Sequence, residues 1–173
     1  MGHIRRIFLS DFANSQSITS IAQRVGSGLL RKNAKLTTAE SCTGGGIAEA
    51  ITATAGSSQW FEYGYITYAN KAKEQLLGVD QKILDSFGAV SEEVVEQMAA
   101  GALKSSGADY AIAVTGIAGP DGGSEQKPVG TVWICWLTPE ITRVEKYQLQ
   151  GDRQAIRQQV IKISLQELLH QLN

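Results

Sequence analysis

The apolar positions of this chain follow two rhythms in turn, one helical and one of strands. Ile18, Ile21, Ala22, Val25 and Leu29 recur at helical spacing, which predicts an amphipathic helix over about residues 14–32. Lys35 to Glu40 then reads as a short strand, and Ile47, Ala50 and Ile51 place a second helix after it. EYGYITYAN, residues 62–70, has the aromatic and β-branched content of a strand. A short helix follows from about Lys71 and stops at Gly78. Ser91 is a good N-cap, with Glu92 and Glu93 in the first turn, for a helix to about Ser106. The apolar run ADYAIAVTG, residues 108–116, fits a buried central strand. A Gly-rich loop covers 116–128. VGTVWICWL and ITRVEKYQL then read as an antiparallel hairpin joined at Thr138–Glu140. A last helix spans about Asp152 to Leu172, with Ile156, Val160, Ile163 and Leu168 facing inward.

Helices alternating with strands, then a hairpin, predict an α/β fold: a three-layer α/β/α sandwich with a mixed sheet. With 173 residues, 43% of them hydrophobic, one domain with a sizeable core is expected. That domain takes residues 14–173, after a short disordered or loosely docked N-terminal arm at 1–13. The arm has only a short apolar run and lacks the organisation of a signal peptide. No stretch reaches the roughly 18 apolar residues of a membrane span.

Charge narrows the partners. Sixteen basic and 17 acidic residues leave a net charge of −1. That gives no broad basic field for nucleic acid or an anionic membrane, though net charge leaves room for a small local patch. Cys42 and Cys135 match no CxxC spacing and need no bridge, so a reducing, cytoplasmic compartment is the simpler reading. Trp133 or Trp136, exposed on an edge hairpin, could make a homodimer surface; oligomeric state stays open.

The histidines exclude more. Only His3 and His170 exist, one near each end. A Ser-His-Asp triad, a Cys-His pair or a zinc site would have to borrow a chain terminus. No metal is therefore expected, and an enzymatic base should be Lys, Asp, Glu or Tyr. Cys42 as nucleophile lacks such a partner.

Four segments could carry chemistry. In TTAESCTGGG, residues 37–46, a strand ends and a turn of small residues opens a helix. Such a turn exposes the Ser41 hydroxyl and aims backbone N–H groups at an oxyanion or a phosphate. The same residues also read as plain helix capping. The turn is not a Walker loop, an S-x-x-K motif or a nucleophile elbow. In YITYANKAK, residues 65–73, Tyr68 ends a strand and Lys73 falls one turn into a helix. A lysine there acts as a base only if its pKa is well below the ordinary value; otherwise Lys71 and Lys73 are both surface residues. VTGIAGPDGG, residues 114–123, lies where α/β sheets bind ligands, at a strand's carboxyl end. Asp121 there could meet a ribose hydroxyl, and Lys127 could cap the loop or meet a phosphate. In QGDRQAIR, residues 150–157, Arg153 and Arg157 share a helix face that suits a phosphate or simple solvation.

Together these segments resemble one family. TAESCTGG, GSSQWFEYGYITYANKAK, LLGV, GAVSEEVV, TGIAGPDGGSEQKPVGTVW and GDR, in that order, are similar to the CinA C-terminal domain. The resemblance covers about residues 16–170 and looks like the stand-alone form. It implies a bacterial amidohydrolase that converts nicotinamide mononucleotide (NMN) and water to nicotinate mononucleotide and ammonia, in NAD recycling, with no cofactor. It carries catalytic roles onto Ser41, Tyr68 and Lys73. Lys73 would be the base for Ser41, with Tyr68 orienting Lys73 or passing a proton. Backbone N–H groups of Thr43, Gly44 and Gly45 would hold the oxyanion. Thr115, Gly116, Gly119 and Asp121 would line the nucleotide pocket, and Arg153 or Lys127 would meet the phosphate. The alternative is a non-catalytic nucleotide-binding or interaction module.

Overall fold

The computed structural model describes residues 4–6 and 16–173. Its elements are β1 (Ile4–Arg6), α1 (Ile18–Arg31), β2 (Leu36–Glu40), α2 (Gly46–Thr52), β3 (Phe61–Ile66), α3 (Asn70–Leu77), α4 (Gln81–Phe87), α5 (Glu92–Ser106), β4 (Tyr110–Gly116), β5 (Thr131–Leu137), β6 (Thr142–Gln148) and α6 (Arg153–Leu172). Ser17, Ser91 and Asp152 cap α1, α5 and α6 by accepting from backbone N–H groups three residues on. α3 stops at Gly78, in the left-handed conformation that suits a residue without Cβ.

The six strands lie in the order β1-β6-β5-β4-β2-β3. β2, β3 and β4 are mutually parallel, and β5 is antiparallel to both of its neighbours. The predicted mixed sheet and antiparallel hairpin are both present. Strand periodicity then sorts the core into two layers. Leu36, Ile112, Val114, Ile134 and Trp136 face α1, α2 and α6. Ala39, Ala111, Ala113 and Cys135 face the side of α3, α4 and α5. The small side chains on that second face let α5 lie close to the central strands.

Of the arm at 1–13, Ile4–Arg6 pairs in parallel with β6. The rest of that segment, His3 included, lies outside the described residues. The hairpin is not an exposed edge, since β5 sits between β4 and β6. Trp136 is fully buried and its indole N–H donates to the Ser164 carbonyl at 2.8 Å. Trp133 is half-buried, with the Lys146 ammonium 5.7 Å from its ring centre. Of the two residues expected to be exposed, Trp136 is thus spent within the domain and Trp133 keeps only part of its ring at the surface. Both cysteines are buried and unbridged. Among the described residues no helix is long and apolar enough to cross a membrane.

Two local features differ from the sequence reading. The strand expected to reach residue 70 ends at Ile66, because residues 67–69 turn into α3. Helix α4 lies in a segment that carried no prediction; it has seven residues and turns mainly Ile83 and Leu84 inward, too few to show a period. α3 matters most for the site, and α5 fixes its position. A Cβ on Gly101 of α5 would lie 1.9 Å from the Leu77 carbonyl oxygen of α3. Gly101→Ala should thus force the two backbones apart. We expect a loss of about 3 kcal/mol, read as a lower melting temperature, despite alanine's better helix propensity.

Candidate active site

Three parallel strands end side by side, and their carboxyl ends bring the predicted residues together. β2 runs into Ser41, β3 into Thr67 and Tyr68, and β4 into Thr115 and Gly116. The ladder continues one residue past the strands. Ser41 N–H donates to the Val114 carbonyl at 3.1 Å, and Thr67 N–H donates to the Glu40 carbonyl at 2.8 Å. Both chain exits are therefore fixed to the sheet.

Lys73 lies on the inner face of α3, one turn before Leu77, and is 1% exposed, whereas Lys71 is exposed. Its Nζ stands 3.1 Å from Ser41 Oγ and donates to the Thr67 carbonyl at 2.8 Å. No carboxylate pairs with Lys73 among the described residues. Burial lowers its pKa from the ordinary 10.5 to about 8. Roughly a tenth of the amine is thus neutral at pH 7, against well under a thousandth at the ordinary pKa, and it stands beside a buried serine hydroxyl, an arrangement that suits a nucleophile and its base. Cys42, the next residue, is no rival: burial pushes its thiol up to about 12. His170 sits in the last turn of α6, roughly 25 Å along the helix from Arg153.

Ser41 and Lys73 line a cleft of about 270 Å³. Tyr68, Thr115, Gly116, Gly119, Asp121 and Arg153 line it too. Its apolar wall comes from Ala89, Val90, Ile117 and Ala118, which the sequence reading did not single out. Ala89 is held there because Thr115 Oγ1 donates to its carbonyl at 2.7 Å. Arg153 stands at the rim, donating from Nη1 to the Gly119 carbonyl at 2.8 Å and from Nη2 to the Tyr68 hydroxyl at 2.9 Å. No carboxylate neutralises it among the described residues.

Three expectations change. Tyr68 does not hydrogen-bond Lys73; the Thr67 carbonyl does, and Tyr68, 59% exposed, holds Arg153 instead. Lys127 does not line the cleft, because its Nζ donates to the Phe87 carbonyl at 2.7 Å and ties the Gly-rich loop to the end of α4. Gly44 and Gly45 do not offer free N–H groups. Gly44 N–H donates to the Ser41 carbonyl at 3.1 Å, and Gly45 N–H to Glu40 Oε2 at 3.1 Å. Both glycines line a separate cleft with Arg157, whose Nη2 donates to the Thr43 carbonyl at 2.7 Å. Arg153 and Arg157, four apart, thus serve different clefts.

The Gly45 N–H is taken by Glu40, which the sequence reading quoted without a role. It is 1% exposed. Its Oε2 accepts from Thr43 Oγ1 at 2.6 Å, Gly45 N–H and Ile47 N–H at 3.0 Å, and its Oε1 from Ala48 N–H at 2.8 Å. A lone charge ending an otherwise uncharged strand was the signal that could have found it.

Comparison with known proteins agrees with this geometry. Residues 18–172 match the CinA C-terminal domain. A Pseudomonas putida protein named nicotinamide-nucleotide amidohydrolase PncC is 55% identical over 152 residues, 88% of this chain and 95% of its own length. The protein of that name from Escherichia coli K12 is 52% identical over 157 residues, 89% and 94% of the two chains. The crystal structure of competence/damage inducible protein CihA from Agrobacterium tumefaciens superposes with a TM-score of 0.88 at 42% identity, covering 92% of this chain and 97% of that one. The chain belongs to the CinA C-terminal domain family.

Proposed function

We propose that this protein hydrolyses the carboxamide of NMN to nicotinate mononucleotide and ammonia, using Ser41 as nucleophile and Lys73 as its base. The observation that carries the chemistry is the buried Ser41–Lys73 pair, 3.1 Å apart at a cleft with an apolar wall. The names of the Pseudomonas and Escherichia relatives support the substrate.

Neutral Lys73 takes the Ser41 proton as Oγ attacks the carboxamide carbon. The N–H groups of Cys42 and Thr43 receive the oxyanion, since those of Ser41, Gly44 and Gly45 are already engaged. Lys73 returns the proton to the departing nitrogen, which leaves as ammonia. Water then attacks the acyl-serine, Lys73 takes its proton, and Ser41 is regenerated as the carboxylate product departs. The Thr67 carbonyl keeps the amine aimed at Ser41 throughout. The pyridine ring rests on Ala89, Val90 and Ala118, Asp121 meets a ribose hydroxyl, and Arg153 meets the phosphate. The product would re-enter NAD synthesis in the cytoplasm.

The direct test is incubation of the purified protein with NMN, reading ammonia and the acid product together. Saturable NMN binding without ammonia would sink the hydrolase reading in favour of a binding module. The phosphate assignment has its own test. Arg153→Met should raise KM for NMN about 10- to 100-fold, the worth of a charge-assisted hydrogen bond. It should change turnover of the phosphate-free riboside far less. Lys127→Met, made at a residue outside the cleft, should leave KM within about threefold.

A further inference from the structure

We infer that Glu40 is the positioning residue that holds the Ser41 turn in its reactive shape, an inference that rests on Ser41 being the nucleophile. Glu40 takes no part in the proton transfers, yet the fold buries its carboxylate at the end of β2, against the start of α2, without an ion pair among the described residues. Such burial is costly unless every lone pair is used. Here four donors reach one carboxylate, three at Oε2 and one at Oε1. All four come from residues 43–48, immediately after the nucleophile.

That arrangement dictates the path of the chain. Helix α2 begins at a glycine, so no side chain at its N-cap can satisfy its first amides. Glu40 does so from the end of the preceding strand. To wrap its amides around a carboxylate only a few residues back, the chain reverses through Gly44 and Gly45, at φ 59° and 95°. Ser41, Cys42 and Thr43 are left on the outer arc, with Ser41 Oγ facing Lys73. Two further anchors close the arc: Val114 receives the Ser41 N–H, and Arg157 holds the Thr43 carbonyl. Glu40 is the hub because its one carboxylate binds Thr43 on one limb of the turn and Gly45, Ile47 and Ala48 on the other. It also occupies the helix N-terminus with a protein carboxylate, so a substrate anion is directed to Arg153.

The role is geometric, which sets the test. Glu40→Gln retains an oxygen for Thr43, Gly45 and Ile47 but sets an NH₂ against the Ala48 N–H. We expect kcat for NMN to fall about tenfold or more, KM to change less than about threefold, and the pH midpoint of the rate to stay in place. The rate of Ser41 labelling by a fluorophosphonate, which needs no NMN, should fall in parallel. Thr43→Val, which deletes one donor and leaves the carboxylate, should slow labelling as well, and Thr43→Ser should restore it. Wild-type labelling and turnover in Glu40→Gln, whatever its melting temperature, would overturn the inference. Should Glu40→Gln fail to fold, unchanged labelling of Thr43→Val would overturn it instead. Labelling of Ser41 that depends on Glu40, in a protein that releases no ammonia from NMN, would sink the substrate and leave Glu40 its role. No labelling of the wild type at Ser41 would overturn both.

Discussion

Ser41→Ala should abolish ammonia release from NMN, lowering kcat by about 10³-fold or more while NMN still binds. The magnitude follows from the concerted nature of nucleophile and base: removing either leaves only cleft binding and oxyanion contacts. The substitution deletes one buried oxygen whose partner, Lys73, keeps its bond to the Thr67 carbonyl. Folding should therefore be nearly unaffected, and calorimetry should show NMN affinity within about threefold of wild type. Turnover by Ser41→Ala at the wild-type rate would eliminate the acyl-serine route. A residual rate that is small but saturable would instead point to direct attack by water within the same cleft.

Lys73 gives the second large effect, and it acts on activity and stability in opposite directions. As a base it must be neutral, so kcat/KM should rise with pH, pass its midpoint near pH 8 and level off above. Lys73→Met keeps the apolar stem and removes the base, and should cost about 10³-fold in kcat. Lys73→Arg stays charged at every accessible pH and should be equally inactive. Stability carries the other sign. A lysine whose pKa is lowered from 10.5 to about 8 by burial burdens the native state by roughly 3 kcal/mol. The unfolded chain binds the extra proton between those values, so that burden is full below pH 8 and lifts as pH rises toward 10.5. Lys73→Met should thus melt no lower than wild type at pH 7, and the wild type should gain on it between pH 8 and 10.5. A variant inactive because it is misfolded would show neither trend.

How far the sequence reached depended on whether a residue's role was local. The strands and long helices were legible because their apolar periods and capping residues are carried within each segment. Ser17, Ser91 and Asp152 cap where such residues should. Helix α4 escaped for lack of length. In the site, the cleft-lining glycines and Arg153 were legible from their place at strand and helix ends. Lys71 and Lys73 look alike in NKAKEQ, and only the packing of α3 separates an exposed lysine from a buried one. Lys73 shares its face with Leu77, four residues on, and that spacing was the available hint. The free N–H groups assigned to Gly44 and Gly45 were wrong for a non-local reason. Their amides lie near a helix start, as expected, but a carboxylate from the preceding strand already occupies that of Gly45, and the Ser41 carbonyl takes that of Gly44. Likewise, Lys127 was drawn to a backbone carbonyl 40 residues away, which no local pattern announces.

The bond from Arg157 to the Thr43 carbonyl spans 114 residues. It joins the final helix of the domain to a turn near its beginning. During synthesis the serine and lysine emerge early, within the first half of the chain, while the clasp behind them arrives with α6. A growing polypeptide therefore carries Ser41 and Lys73 well before it carries the brace behind them.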